Sequence, residues 1–268
     1  AANFLLGHLE HTRAAGTRAG ELARHAVQHL PAEAFTTVGP LLEALERAPR
    51  AQRLALAEGL ATIAAKPERT LPDGVRSWME RELLAAVDDK DPALGLKAIN
   101  ALKGLDVPGQ SDVLRRIASS SSTREANRTA ALRALPADTP ETVAVLVAVL
   151  TGGGSNPLRR TAAELLGTTS AGPAARAALV AAVPGASADL VLALAAALAK
   201  TDAGAEELLE LAAAGRVKPT LLRHRHLELA FEKRPAALRE RVTALTRGLP
   251  GEDARLDALI AQRVAAAA

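Results

Sequence analysis

Cysteine is missing from all 268 residues. Its absence removes disulfides, thiolate metal sites, cysteine nucleophiles and covalent haem attachment from this chain. The compartment stays open, because a cysteine-free chain is stable in either redox setting. Tyrosine is missing too, and the aromatics are Phe4, Phe35, Trp78 and Phe231. Sheets draw on aromatic and β-branched residues, so this scarcity points away from β structure. It also argues against single-stranded nucleic acid as a ligand, because that binding relies on base stacking. No run reaches the ~20 uninterrupted apolar residues of a membrane span. Residues 188–199 are apolar over about half that length, which suits a buried core helix. Lysine is scarce and arginine supplies most of the positive charge. The net charge of +3, with a pI near 9.6, permits an acidic partner without demanding one.

Catalytic signatures are missing as well. There is no Gly-x-Ser-x-Gly, no His-Glu-x-x-His and no calcium loop. Gly152-Gly153-Gly154 follows a helical pattern and lacks the Gly-Lys-Ser/Thr ending of a phosphate loop. The carboxylate pairs Asp88-Asp89 and Glu206-Glu207 fall at helix ends, with nothing to set a second carboxylate across a cleft. The sequence therefore names no catalytic residue, no metal site and no cofactor.

What is present folds. Apolar residues make up 49% and charged residues 24%, a composition that can bury a core. The apolar share is mostly Ala, Leu and Val, which suits helices packed closely through small side chains. The chain opens on Ala1-Ala2-Asn3 and closes on Ala265–Ala268, so it reads as a processed chain, a fragment or the ordered part of something larger.

Repetition organises the sequence. Arg128-Thr129-Ala130-Ala131 and Arg160-Thr161-Ala162-Ala163 lie 32 residues apart. Lys97-Ala98-Ile99 stands 31 residues before the first of them, and Arg53-Leu54-Ala55-Leu56 one unit earlier still. Leu192 and Arg223 continue the series. The period of 31–33 residues predicts helix pairs at 36–47 with 50–65, 73–87 with 91–105, and 109–119 with 123–135. The series continues at 140–150 with 156–168, 172–183 with 187–200, 204–214 with 218–233, and 235–247 with 252–265. Pro92, Pro157 and Pro219 fall in first turns of second helices, where a missing N–H costs nothing. Ser122 with Glu125 reads as a capping box. Val75, Met79, Leu83 and Val87 recur at intervals of four, and Val143, Leu146, Val147 and Leu150 form a second helical stripe. The first 35 residues fit less well and read as atypical N-terminal helices or a cap, Asn3–Glu10 and Ala19–Leu30, leaving 36–268 as the array. The loop Lys66–Gly74 is the expected seam. The fold class is thus all-α: an α-solenoid of about seven antiparallel helix pairs, whose inner helices line a shallow concave surface.

Two resemblances follow from particular residues. Asp91-Pro92, Lys97, Ala98 and Leu102, with Arg160-Thr161-Ala162-Ala163-Glu164-Leu165-Leu166-Gly167, are similar to the HEAT-repeat consensus over about residues 36–265. That resemblance implies an α-solenoid and little about function, since HEAT arrays serve many roles. The order His25 to Leu30, then the Ala/Arg-rich array, then Leu256-Asp257-Ala258-Leu259-Ile260-Ala261 with Arg263, resembles the helical region preceding the c-type cytochrome domain of large secreted planctomycete-like proteins. It implies a periplasmic or extracellular accessory domain. The family's Cys-x-x-Cys-His motif is absent, so haem binding carries over to no residue here. Without this resemblance, a cytoplasmic location is expected.

Three residue groups are candidates for binding. His8 and His11 share a helix face, as do Glu21, His25 and His29; such pairs can hold a metal, though the plainer reading is a solvated terminal face. The densest basic stretch contains Arg216, Lys218, Arg223, Arg225, Lys233, Arg234, Arg239, Arg241 and Arg247, with His224 and His226. It suits an anion or an acidic partner, or else forms solvated helix faces with local pairs such as His224 with Glu228. His226, in helical register with Leu222 and Leu229, reads as a packed side chain. The recurrent basic residue, Arg53, Lys97, Arg128 and Arg160, reads first as a brace for the loop before each second helix. The expected role is a non-catalytic scaffold that binds a protein segment, spaces flanking domains or packs on copies of itself. A nucleic-acid-binding protein using the basic stretch, and an accessory domain of a secreted redox protein, are the alternatives.

Overall fold

The structure is a computed structural model. It describes residues 46–250 except 67, 170 and 171, the backbone of 252–267, and residues 24, 25, 27–29, 38, 42 and 43 before them. Most of the expected cap, most of the first helix at 36–47, and His8, His11 and Glu21 lie outside the described residues.

Every regular element among the described residues is helical. In chain order these are α1 (Arg50–Ala64), α2 (Asp73–Val87), α3 (Pro92–Leu102), α4 (Gln110–Ser119) and α5 (Glu125–Ala134), then α6 (Pro140–Thr151), α7 (Asn156–Leu166), α8 (Gly172–Ala181), α9 (Ala188–Leu198) and α10 (Asp202–Ala213). A 3₁₀ turn at Pro219–Arg223 leads to α11 (Arg225–Glu232), α12 (Ala236–Leu245) and α13 (Glu252–Ala267). The chain divides into two compact units, Ala1–Leu135 and Pro136–Ala268.

In the first unit α2 packs on α3 and α4 on α5 as pairs. The second helices α1, α3 and α5 stack in one row, and α2 and α4 in another. The second unit repeats the scheme: α6 pairs with α7 and α8 with α9, while α7, α9 and α11 form one row and α6, α8, α10 and α12 the other. Each unit is thus a two-layer stack in which a helix touches its pair-mate and the helices two places away. This is the local contact pattern of a helical repeat.

The apolar spacing explains the layers. Val75, Met79, Leu83 and Val87 are all buried, as their four-residue interval predicts. In α6, Val143, Leu146 and Leu150 are buried, while Val147 is half-exposed and Val149 takes its place inside. Helix α9 buries Leu190, Leu194, Ala195, Ala197 and Leu198 among α7, α8, α10 and α11. Small residues set the spacing between rows. A Cβ on Gly95 would lie 2.8 Å from the Val87 carbonyl oxygen and 2.9 Å from Asn127 Nδ2.

Helix starts carry side-chain caps at Asp91, Thr139, Ser155, Ser187 and Thr201. The Ser122–Glu125 box does not form. Helix α5 begins at Glu125 with Arg124 in the capping position, and the Ser122 hydroxyl instead pairs with that of Ser120 at 2.9 Å. The expected helix 218–233 is also broken. His224 is extended (φ −70°, ψ 131°), ending the 3₁₀ turn and capping α11 through Nδ1, which accepts from the His226 N–H. Burial of Leu222 and Leu227, both 0% exposed, accounts for the break. In one continuous α-helix those two side chains would point about 140° apart.

The loop Lys66–Gly74 is no seam. Leu71 within it is buried, and α1 packs directly on α2 across it. The division falls between Leu135 and Pro136 instead.

Candidate functional site

In three of the repeats an arginine stitches the second helix to the loop before it. Arg53 on α1 donates from Nη1 to the carbonyls of Glu46 (3.0 Å) and Ala48 (3.3 Å), and from Nε to Glu82 on α2 at 2.8 Å. Arg128 on α5 donates from Nε to the Ala118 carbonyl at 3.0 Å, in the last turn of α4. The Ala118 carbonyl lies at the end of its helix and has no partner within it. A guanidinium satisfies it while its charge offsets the negative end of the helix dipole.

The bracing expectation holds for Arg53 and Arg128 and moves by one residue in the next unit. Arg159, not Arg160, donates from Nε to the Leu150 carbonyl, at 2.8 Å. Arg160 points to solvent and pairs with Glu164 one turn on, at 3.7 Å. Lys97 is exposed, and its positive charge acts on Glu58 of the neighbouring helix α1. Burial pushes the Glu58 carboxyl above the usual carboxylate range, and Lys97 and Arg24 partly oppose that rise.

A second set of ion pairs joins one repeat to the next. Asp88 and Asp89 sit after the last turn of α2. Asp89 takes Arg50 of α1 at 2.9 Å, and Asp88 takes the two-pronged guanidinium of Arg116 on α4. The two carboxylates tie the end of α2 to α1 on one side and to α4 on the other. The Asp91 backbone N–H, followed by Arg50, holds the Asp89 carboxyl below its usual range. In the second unit, Arg176 on α8 meets Glu207 on α10 at 3.1 Å, and Arg234 meets Asp202 at 3.0 Å. The Lys200 ammonium donates to the Glu164 carbonyl at 3.1 Å, and burial lowers its pKa. Nothing in the repeat words singles out Asp88, Asp89, Arg176 or Glu207. Their signal is positional: a carboxylate on or just after one helix, with an arginine 28 to 39 residues away on a helix packed near it.

The basic stretch is distributed over several elements. Arg216 and Lys218 lie exposed between α10 and the 3₁₀ turn. Arg223 pairs with Glu228 at 3.0 Å, so Glu228 is met by that guanidinium across the break. Arg225 opens α11 and Lys233 caps its end, in the row of second helices. Arg234 is held by Asp202. Arg239, Arg241 and Arg247 are exposed on and just after α12, in the row of first helices. The eight basic candidates from Arg216 to Arg241 thus lie on α11, α12 and the segments that flank them. His226 is exposed, contrary to its expected packing, because the break at His224 shifts it out of register with Leu222. Leu229 is likewise 47% exposed. The His25 and His29 rings meet edge to face at 4.6 Å, as their spacing predicts. Among the described residues, no three metal-capable side chains converge.

Two open depressions mark the row of first helices in the second unit. One, of about 410 Å³, runs between α8 and α10, with Ala177, Val180 and Leu211 as floor and Glu207, Glu210 and Arg216 at its rim. The other, of about 440 Å³, follows the outer face of α12 along Ala236, Arg239, Glu240, Thr243, Ala244 and Arg247. Both are shallow and solvent-filled in shape, suited to receiving a side chain or helix ridge rather than enclosing a small molecule. No helix among the described residues is long and apolar enough to cross a membrane. Compared with protein-family models, curated proteins and solved structures, the chain matches none.

Proposed function

We propose that this chain is a HEAT-like, non-catalytic scaffold that works by binding protein through exposed faces of its stacked helices. The observation that carries the reading is where the arginines go. Arg53, Arg128 and Arg159 are committed to loop carbonyls, and Arg50, Arg116, Arg176 and Arg234 to carboxylates of neighbouring elements. The recurrent charge is thereby used for architecture. The side chains left for recognition are those on outer helix faces, chiefly α10 and α12.

Proximity labelling in native cells tests the reading, comparing the intact chain with a Glu206→Arg/Glu210→Arg variant. Both side chains are exposed, so the stack should survive, which circular dichroism checks. The expected result is loss of a defined set of labelled neighbours with helicity unchanged. An identical neighbour set for both proteins would overturn the proposal.

A further inference from the structure

The outer faces of α10 and α12 carry opposite charge. On α10 the exposed row is Asp202, Glu206 and Glu210, spaced one turn apart, and the helix contains no basic residue. On α12 and the turn after it the exposed basic residues are Arg239, Arg241 and Arg247, against a single carboxylate, Glu240. Asp202 is engaged by Arg234, but the side chains of Glu206, Glu210, Arg239, Arg241 and Arg247 have no hydrogen-bond or ion-pair partner among the described residues. Between the charges both faces present short side chains: Ala203 and Ala213 on α10, and Ala236, Ala237, Thr243 and Ala244 on α12. The α12 face lines the 440 Å³ depression, from Ala236 and Arg239 to Arg247.

These two helices are neighbours in one row, and short connections make successive helices of such a stack antiparallel, so α10 and α12, two places apart in the pairing, run the same way. An acidic ridge therefore lies beside a basic furrow, the two side by side on one surface. Such a surface is complementary to itself. A two-fold axis running between α10 and α12, parallel to both, sets the α10 of one copy on the α12 of the other, and the reverse at the symmetric position. An isologous interface requires this reciprocity of contacts. The short side chains let the helices approach closely, and the depression gives the acidic ridge a seat.

We infer that a second copy of this chain docks on the α10–α12 face, forming a two-fold dimer held by Glu206 and Glu210 of one protomer against Arg239 and Arg247 of its partner. This partner presupposes the scaffold reading and gives it a first occupant. Contacts of this charged kind set specificity and association rate and weaken as salt rises.

Sedimentation velocity on the full chain tests the inference, with three proteins: the unaltered chain, Glu206→Arg/Glu210→Arg, and Arg239→Glu/Arg247→Glu. The unaltered chain should dimerise at low ionic strength and dissociate as sodium chloride is added. Each variant alone places like charges opposite each other at both contacts, and should dimerise about tenfold more weakly or worse. Mixed one to one, the two variants restore opposite charges at both contacts, so a heterodimer should form. A chain that stays monomeric at low salt would overturn the dimer, as would variants that dimerise alone as well as the unaltered chain. A mixture that fails to associate would overturn it too. None of these outcomes alters the labelling comparison, so failure of the dimer and failure of the scaffold reading are distinguishable.

Discussion

Gly167 meets Ala197 so closely that a Cβ on the glycine would sit 2.8 Å from both the Cα and the Cβ of the alanine. Gly167 caps α7 with ordinary helical angles (φ −66°, ψ −10°), so its backbone would accept any residue. Space alone requires glycine here, because α7 and α9 touch at this point. Gly167→Ala should cost about 1–3 kcal/mol through overpacking. Gly153→Ala, with nothing within 4 Å of the new methyl, should stay within about 0.5 kcal/mol of the unaltered chain. Chemical unfolding of both variants checks the contrast.

Asn127 makes the corresponding contact in the first unit. It is 6% exposed, and its Nδ2 donates to the Pro92 carbonyl at 3.1 Å, tying α5 to the start of α3. Asn127→Ala should cost about 1 kcal/mol, because the part-buried bond between the two helices is lost. Gly95→Ala would push a methyl against the same Nδ2. The double variant should therefore lose less than the sum of the two, since both break one contact.

Asp89 gives the first unit an acid sensitivity. Its folded pKa lies below the unfolded value of about 3.9. The stability it contributes is present above that unfolded value and is lost as pH falls through the lower folded one. Asp89→Asn should cost about 0.5–1 kcal/mol near neutral pH and nothing at the acid end, a difference that unfolding at several pH values reads directly.

Glu58 has the opposite sign. Its folded pKa is raised above the unfolded value of about 4.3, so the folded chain pays a desolvation cost that grows as pH rises through that window and is complete above the folded pKa. Glu58→Gln should leave stability unchanged at low pH and raise it by less than about 1 kcal/mol at neutral pH. Lys97→Ala should drive the Glu58 pKa higher still, which carboxyl titration by NMR would register.

The layers were legible because apolar spacing and breaker residues act locally. Val75 to Val87 and the proline-marked starts at Pro92 and Pro157 fell where the pattern placed them. The break at His224 was not legible, because it arises from two leucines, Leu222 and Leu227, competing for the same interior. The shift of the brace from Arg160 to Arg159 was hidden for a related reason. The repeated Arg-Thr-Ala-Ala word matches position for position in sequence, yet the loop before it is one residue shorter between carbonyl and brace. Arg128 reaches back ten residues to Ala118, and Arg159 nine to Leu150. The opposed charges of α10 and α12 gain meaning only once the two helices are known to be neighbours.

Hydrogen exchange on Arg159→Gln and Arg160→Gln, side by side, tests most directly the claim that the recurrent arginine belongs to the architecture. The account predicts that Arg159→Gln speeds exchange in the last turn of α6 and the first turn of α7, while Arg160→Gln leaves both protected as in the unaltered chain. Unchanged protection in Arg159→Gln, or opening caused by Arg160→Gln instead, would contradict it.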